Sequence, residues 1–294
     1  MRDPRAFVAG LAYWRGPVDP QPVAGGMTNM NFSVVDRGRR YFVRVGDDIA
    51  VHGIVRTNEL AASRAAHAAG VAPAVIHAEP GVVVLDLIDG RSLSPAEVRD
   101  PHNLGRIVEL VGRCHRDIPE HLRGPAALFW VFHVVRDYAH TLREGNSRHV
   151  ARLPKMLVAA ARLERALGAV DIVFGHNDLL ATNFIDDGTR LWQVDREYAG
   201  FNSPLFDLGG LASNNEFSPD LCRRLLEAYF GRPVDEELNL RFAAMTAASL
   251  LRETMWSMVS EIHSRIDFDY VAYTSMNLAR FESAFAAFND LDGT

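Results

Sequence analysis

The texture of this chain changes once, near residue 90, and that change limits what it can fold into. Before it, short runs rich in β-branched and aromatic residues alternate with turn residues. Residues 31–36 and 40–45 predict two strands, with Arg37-Gly38-Arg39 between them as a hairpin turn. Residues 55–69 predict a helix, which Gly70 stops. Two more strands follow at 74–77 and 82–88, split by Pro80-Gly81. After Asp89-Gly90 the pattern becomes helical, at 95–117, 127–144, 148–167, 219–230, 235–264 and 269–288. The exception is 172–195, where short apolar strands at 172–174, 184–186 and 191–194 surround a polar loop. The expected plan is α+β, with a small β-rich lobe over 1–89 and a larger, mainly helical lobe over 90–294.

Bulk properties exclude several classes. The 294 residues are 48% hydrophobic, enough for a sizeable core. A net charge of −6 gives no general attraction to nucleic acid, so none is expected as a partner. An anionic substrate would need a local basic or metal-filled site. Cys114 and Cys222 make neither a disulfide framework nor a zinc motif. The polar start Met1-Arg2-Asp3-Pro4 lacks a signal peptide's apolar core. No run of about eighteen apolar residues occurs, so no membrane span is expected. A cytoplasmic location fits these features.

The chemistry is concentrated in one stretch. Asp178 and Asn183 stand five residues apart, and Asp195 lies seventeen beyond Asp178, at the end of an apolar strand. Phosphoryl transfer needs one carboxylate to orient an attacking hydroxyl and accept its proton. It also needs oxygen ligands to hold Mg²⁺ against the phosphates. A loop carrying an Asp and an Asn, followed by a hairpin returning a second Asp, supplies both. An isolated Asp-x-x-x-x-Asn is more often a turn; the second Asp and the flanking strands favour a site.

The pattern His-x-Asp-x-x-x-x-Asn from His176, followed by a strand ending in Asp195, resembles the catalytic and metal loops of protein-kinase-like enzymes. Asn177-Asp178-Leu179-Leu180 is similar to the choline/ethanolamine kinases, relatives of the aminoglycoside phosphotransferases. So is the continuation from Asp195 through Tyr198 and Asp207. The resemblance extends from about 24 to 285. It implies a protein-kinase-like two-lobed fold, ATP and Mg²⁺ as cofactors, and transfer to a small-molecule acceptor alcohol. It further implies Asp178 as catalytic base, Asn183 and Asp195 as metal ligands, Asp207 as a buried brace and His176 as structural. It also allows a homodimer.

For the nucleotide, Gly25 and Gly26 before the first hairpin strand permit close backbone approach to phosphates, and Thr28 and Asn29 add donors. Arg44, between apolar Val43 and Val45, is the expected phosphate cation, and Glu59 on the 55–69 helix its acid. Backbone groups from Asp86 to Ile88 are candidates for the adenine edge. For the acceptor, a quaternary ammonium calls for aromatic faces and nearby acids. Tyr198 and Trp256 are the aromatic candidates, with Tyr270 and Tyr273 behind them, and Glu197 and Glu216 the acids. The leading expectation is a kinase of a small amino alcohol, choline or ethanolamine. A kinase of an aminoglycoside, thiosugar or homoserine, or a non-catalytic nucleotide-binding pseudokinase, are the alternatives.

Overall fold

The computed structural model describes residues 3–23 and 28–293. Gly25 and Gly26 lie outside the described residues. The N-terminal lobe begins with α1 (Pro4–Ala9), followed by β1 (Gln21–Val23), β2 (Met30–Asp36) and β3 (Arg39–Val45). Then come α2 (Arg56–Ala68), β4 (Val75–Glu79) and β5 (Val82–Asp86). These strands form one antiparallel sheet in the order β1-β2-β3-β5-β4. Arg37 and Gly38 join β2 to β3 with φ of 49° and 82°. Positive φ at both central residues is what a tight hairpin matched to strand twist requires. Alternation along the strands gives the sheet two faces. Phe32, Val34, Tyr41, Val43, Val82 and Val84 pack with Val8 and Leu11 as a small core. Phe42, Arg44, Val83 and Leu85 face the inter-lobe cleft.

The second lobe contains β6 (Arg91–Ser92), α3 (Pro95–Val98), α4 (Pro101–His121), β7 (Ala127–Leu128), α5 (Val131–Glu144) and α6 (Leu153–Leu167). Next are β8 (Val173–Gly175), β9 (Phe184–Asp186), β10 (Leu191–Gln193) and β11 (Gly200–Asn202). It ends with α7 (Pro204–Asn214), α8 (Pro219–Phe230), α9 (Glu236–His263) and α10 (Tyr270–Asp292). Two three-stranded sheets, β10-β9-β6 and β7-β11-β8, carry the polar loops, and the helices enclose the main core. Among the described residues, no helix is long and apolar enough to cross a membrane.

Three departures from the sequence pattern have local causes. The helix expected over 95–117 is two helices, because Pro101 pushes Asp100 to an extended ψ of 122°. The Asp100 carboxylate then caps α4 by accepting from the His102 amide at 2.9 Å. The helix expected from 127 begins at Val131, because Ala127 and Leu128 pair in parallel with β11 instead. Helix α7 was not expected at all, although Ser203 as N-cap and Pro204 in its first turn are start signals.

α7 and α9 cross closely. A Cβ on Gly209 would stand 2.8 Å from the Thr246 nitrogen and 3.0 Å from the Met245 carbonyl carbon. Both are backbone atoms, which cannot rotate away. Gly209→Ala is therefore expected to destabilise the protein by about 1–3 kcal/mol. Urea unfolding monitored by circular dichroism measures this; an unchanged midpoint would contradict the tight crossing.

Candidate active site

Asp178 projects from a loop whose backbone is held from behind. After β8, Asn177 takes a left-handed φ of 65°, a conformation Asn tolerates better than most residues. The buried Asp207 carboxylate at the start of α7 accepts the His176 and Asn177 amides, each at 2.7 Å. His115 of α4 meets the same carboxylate at 2.9 Å and Tyr229 of α8 at 2.6 Å through its other ring nitrogen. Burial alone would raise the Asp207 pKa. The His115 contact and the His176 amide outweigh it and hold the group below its usual value. The Asn177 side chain donates to the Tyr198 and Gly200 carbonyls at 2.9 and 3.2 Å and accepts from Asn202 at 3.1 Å. His176 contacts the Val194 carbonyl through Nε2 at 2.8 Å. Burial lowers its pKa to about 4, so the ring is a neutral strut.

The loop returns toward the same cleft. The Asn183 side-chain amide donates to the Asp178 backbone carbonyl at 2.9 Å, and the Asn183 backbone carbonyl accepts from the Val194 N–H at 3.0 Å. Asp195 follows with a left-handed φ of 67°. Asp178, Asn183 and Asp195 thus line one cleft of about 620 Å³. Desolvation raises the Asp178 pKa well above the usual carboxylate range; Arg252 opposes this, while Glu253, Asp195 and Glu197 add to it.

Above this loop, Arg44 Nη1 bridges Glu59 at 2.6 Å and Asp195 at 2.7 Å. Arg44 and Glu59 are both buried and both line the cleft. A second bridge joins the lobes beside it. Glu197 accepts from Thr28 Oγ1 at 2.9 Å, Asn29 Nδ2 at 3.0 Å and Arg56 Nη1 at 3.2 Å. Arg56 also reaches Glu59 and Asn29, each at 2.6 Å.

Several expected residues therefore stand elsewhere or are already engaged. Glu197 lines the cleft, and its carboxylate is engaged by Thr28, Asn29 and Arg56, so it clasps the lobes. Glu216 is a correction. It follows α7 with φ of 55°, its side chain is 76% exposed, and it faces Arg99 at 3.7 Å, outside the cleft lining. Asp86 lines the cleft, yet its N–H donates to Ala74 O and its carboxylate pairs with Arg39. Its N–H is thus withdrawn from the adenine edge, while Ile88 lines the cleft beside it.

Trp256 and Tyr198 both line the cleft, and the indole N–H donates to the Tyr198 hydroxyl at 2.9 Å. Tyr270 packs behind Trp256 with ring centroids 6.0 Å apart. Arg252 and Glu253, which lie beside them, were not anticipated. Their spacing from Trp256, one helical turn earlier on α9, was the available signal. Arg56 carried a similar signal three residues before Glu59. His115 carried none, because its partner is 92 residues away.

A protein-family model for choline/ethanolamine kinase matches residues 21–220. The chain belongs to the choline/ethanolamine kinase family. Protein LicA of Haemophilus influenzae is 24% identical to the kinase over 278 residues, covering 91% of this chain and 79% of LicA. A probable ethanolamine kinase of Arabidopsis thaliana is 24% identical over 288 residues, covering 85% and 75%. Among solved structures, a choline/ethanolamine kinase family protein from Mesorhizobium loti superposes with a TM-score of 0.78 at 28% identity, covering 98% of this chain and 97% of that one. The kinase has the two-lobed kinase-like fold and is an ATP-dependent phosphotransferase with an alcohol group as acceptor.

The donor set fits Mg²⁺. Asn183 spends its amide nitrogen on the Asp178 carbonyl, leaving its oxygen to ligate. Asp195 spends one carboxylate oxygen on Arg44 and keeps a side chain 25% exposed to the cleft. A carboxylate and an amide oxygen, completed by phosphate and water, are what this hard cation takes.

Removing the brace behind the loop should be costly. Asp207→Ala leaves two buried amides and His115 without their acceptor, and is expected to lose about 3–5 kcal/mol of stability. Chemical denaturation checks this; a loss below about 1 kcal/mol would contradict the brace.

Proposed function

We propose that the protein transfers the γ-phosphate of ATP to the hydroxyl of a small amino alcohol, choline or ethanolamine. One observation carries this reading. Asp178, the Asn183/Asp195 pair and the Arg44–Glu59 pair line a single cleft, whose helical-lobe wall also holds Tyr198, Trp256 and Glu253. In this division of labour residues 1–89 serve the nucleotide, and residues 90–294 serve catalysis and the acceptor.

Apolar side chains of Phe42, Val83, Leu85 and Ile185 give the nucleotide's base a slot beside Ile88. Arg44, fixed by Glu59, meets the α- and β-phosphates as a permanent cation. Thr28 and Asn29 are tethered to the second lobe through Glu197. Asn183 and Asp195 would hold Mg²⁺, and the ion would neutralise charge developing on the phosphate oxygens. Asp178 orients the acceptor hydroxyl and takes its proton as the oxygen attacks. The enzyme's main contribution is positioning and charge complementarity, because phosphoryl transfer asks for little covalent participation by the protein.

Two variants separate these roles. Asp178→Asn is expected to lower kcat by roughly 10²–10⁴-fold with ATP affinity nearly unchanged. Near-normal turnover would remove Asp178 from the catalytic role. Asp195→Ala is expected to weaken ATP binding when Mg²⁺ is present and to leave metal-free binding little changed. Titration calorimetry with and without Mg²⁺ measures it, and equal affinities with Mg²⁺ would argue against ligation.

A further inference from the structure

The acceptor end of the cleft is built differently from an open aromatic cage. Arg252, Glu253 and Trp256 share one face of α9, and all three line the cleft with Asp178 and Tyr198. The Tyr198 ring already carries a cation, because the Arg252 guanidinium carbon sits 4.3 Å from its centroid. Trp256 is covered on one face by His52, stacked at 5.0 Å with an interplanar angle of 27°. His52 is itself held by Tyr138 at 3.3 Å and Ser260 at 3.1 Å, so this cover is fixed. A quaternary ammonium offers no N–H and depends on open π faces. A guanidinium stacked on Tyr198 draws on one of those faces and repels a second cation.

Glu253 offers the opposite kind of contact. Its Oε1 accepts from the Tyr273 hydroxyl at 2.8 Å and its Oε2 from Arg252 Nη1 at 2.9 Å. Its side chain remains 15% exposed. A carboxylate has about four lone-pair directions, so two donors leave capacity for further N–H groups. Tyr273 and Arg252 fix its orientation. Arg252 also balances part of the negative charge that Asp178 and Glu253 bring together, leaving a site that favours a small monocation.

We infer that Glu253 is a specificity residue and that it selects an acceptor with an N–H-bearing ammonium, of the ethanolamine class, over a quaternary ammonium. The inference rests on the amino-alcohol reading above. Each N-methyl group removes one N–H that could donate to Glu253 and adds bulk beside Trp256 and Tyr198. The last methylation removes the final donor.

The test is a coupled ADP-release assay on the full chain with Mg·ATP. The acceptors are ethanolamine, N-methylethanolamine, N,N-dimethylethanolamine and choline. The expected result is a kcat/KM that falls along the series, with roughly a tenfold or larger drop at choline, the scale of one lost charged hydrogen bond. Glu253→Gln should raise the KM for ethanolamine by roughly tenfold, leave the KM for ATP nearly unchanged, and compress the ethanolamine-to-choline ratio. Choline used as well as ethanolamine by the wild-type protein would overturn the proposal. So would a folded Glu253→Gln variant that keeps the wild-type ratio. If none of the four is phosphorylated while ATP still binds, the amino-alcohol reading itself falls, a result distinct from choline preference. The wild-type series decides the acceptor preference. If Glu253→Gln fails to fold, Glu253→Asp, which keeps the charge but shortens its reach, is expected to compress the same ratio; an unchanged ratio would remove Glu253 from the selection.

Discussion

The Asp207 carboxylate accepts the amides of His176 and Asn177 at 2.7 Å each, and His115 holds it from the other side. The rest of the site depends on this arrangement. The two amides belong to a stretch that turns through a left-handed residue immediately before Asp178, so neither can be satisfied by a regular strand or helix. An unsatisfied buried amide costs on the order of 1–3 kcal/mol. A buried carboxylate without partners costs more. Each need answers the other, and the loop conformation that presents Asp178 follows. Because Asp207 lies in the first turn of α7, and α7 packs closely on α9, the loop that presents Asp178 is tied to the helix that carries Arg252, Glu253 and Trp256.

The two lobes meet through a chain of charges. Arg44 spans Glu59 and Asp195, while Arg56 spans Glu59 and Glu197. Two guanidinium groups thus link three carboxylates across the cleft, with one arginine touching Asp195. The desolvation of Arg44 would lower its pKa, but Asp195, Glu59 and Glu197 together outweigh that and keep it charged. Such buried pairs are weak evidence for stability by themselves. Their consequence here is geometric. They fix the distance between the N-terminal sheet and the loop that carries Asp195.

Helix α9 brings several kinds of contact to one wall of the cleft. Arg252, Glu253 and Trp256 recur at helical spacing, so α9 presents cation, anion and aromatic ring to the same space. The aromatic rings are partly engaged by other side chains: His52 covers Trp256 and Arg252 covers Tyr198. The carboxylate of Glu253 keeps unused acceptor capacity. Hydrogen-bonding character therefore joins aromatic character at this end of the cleft.

The order of strand-rich and helix-rich segments, the hairpin at Arg37-Gly38 and the grouping of Asp178, Asn183 and Asp195 were legible in the sequence. Each depends on neighbours within about twenty residues, where periodicity and turn chemistry act directly. Boundaries were less legible where a local feature overrode the pattern, as Pro101 does between α3 and α4. The roles of Glu197, Glu216, Arg252 and His115 were decided only by the tertiary structure. Glu197 and Glu216 looked alike as acids following Asp195. One turns inward to Thr28, 169 residues away, and the other outward to Arg99. The chain itself settled which chemical groups are available and their spacing along each element. Which of those groups face one another across the cleft depends on how α9, α7 and the sheet pack, and no spacing within a single element encodes that.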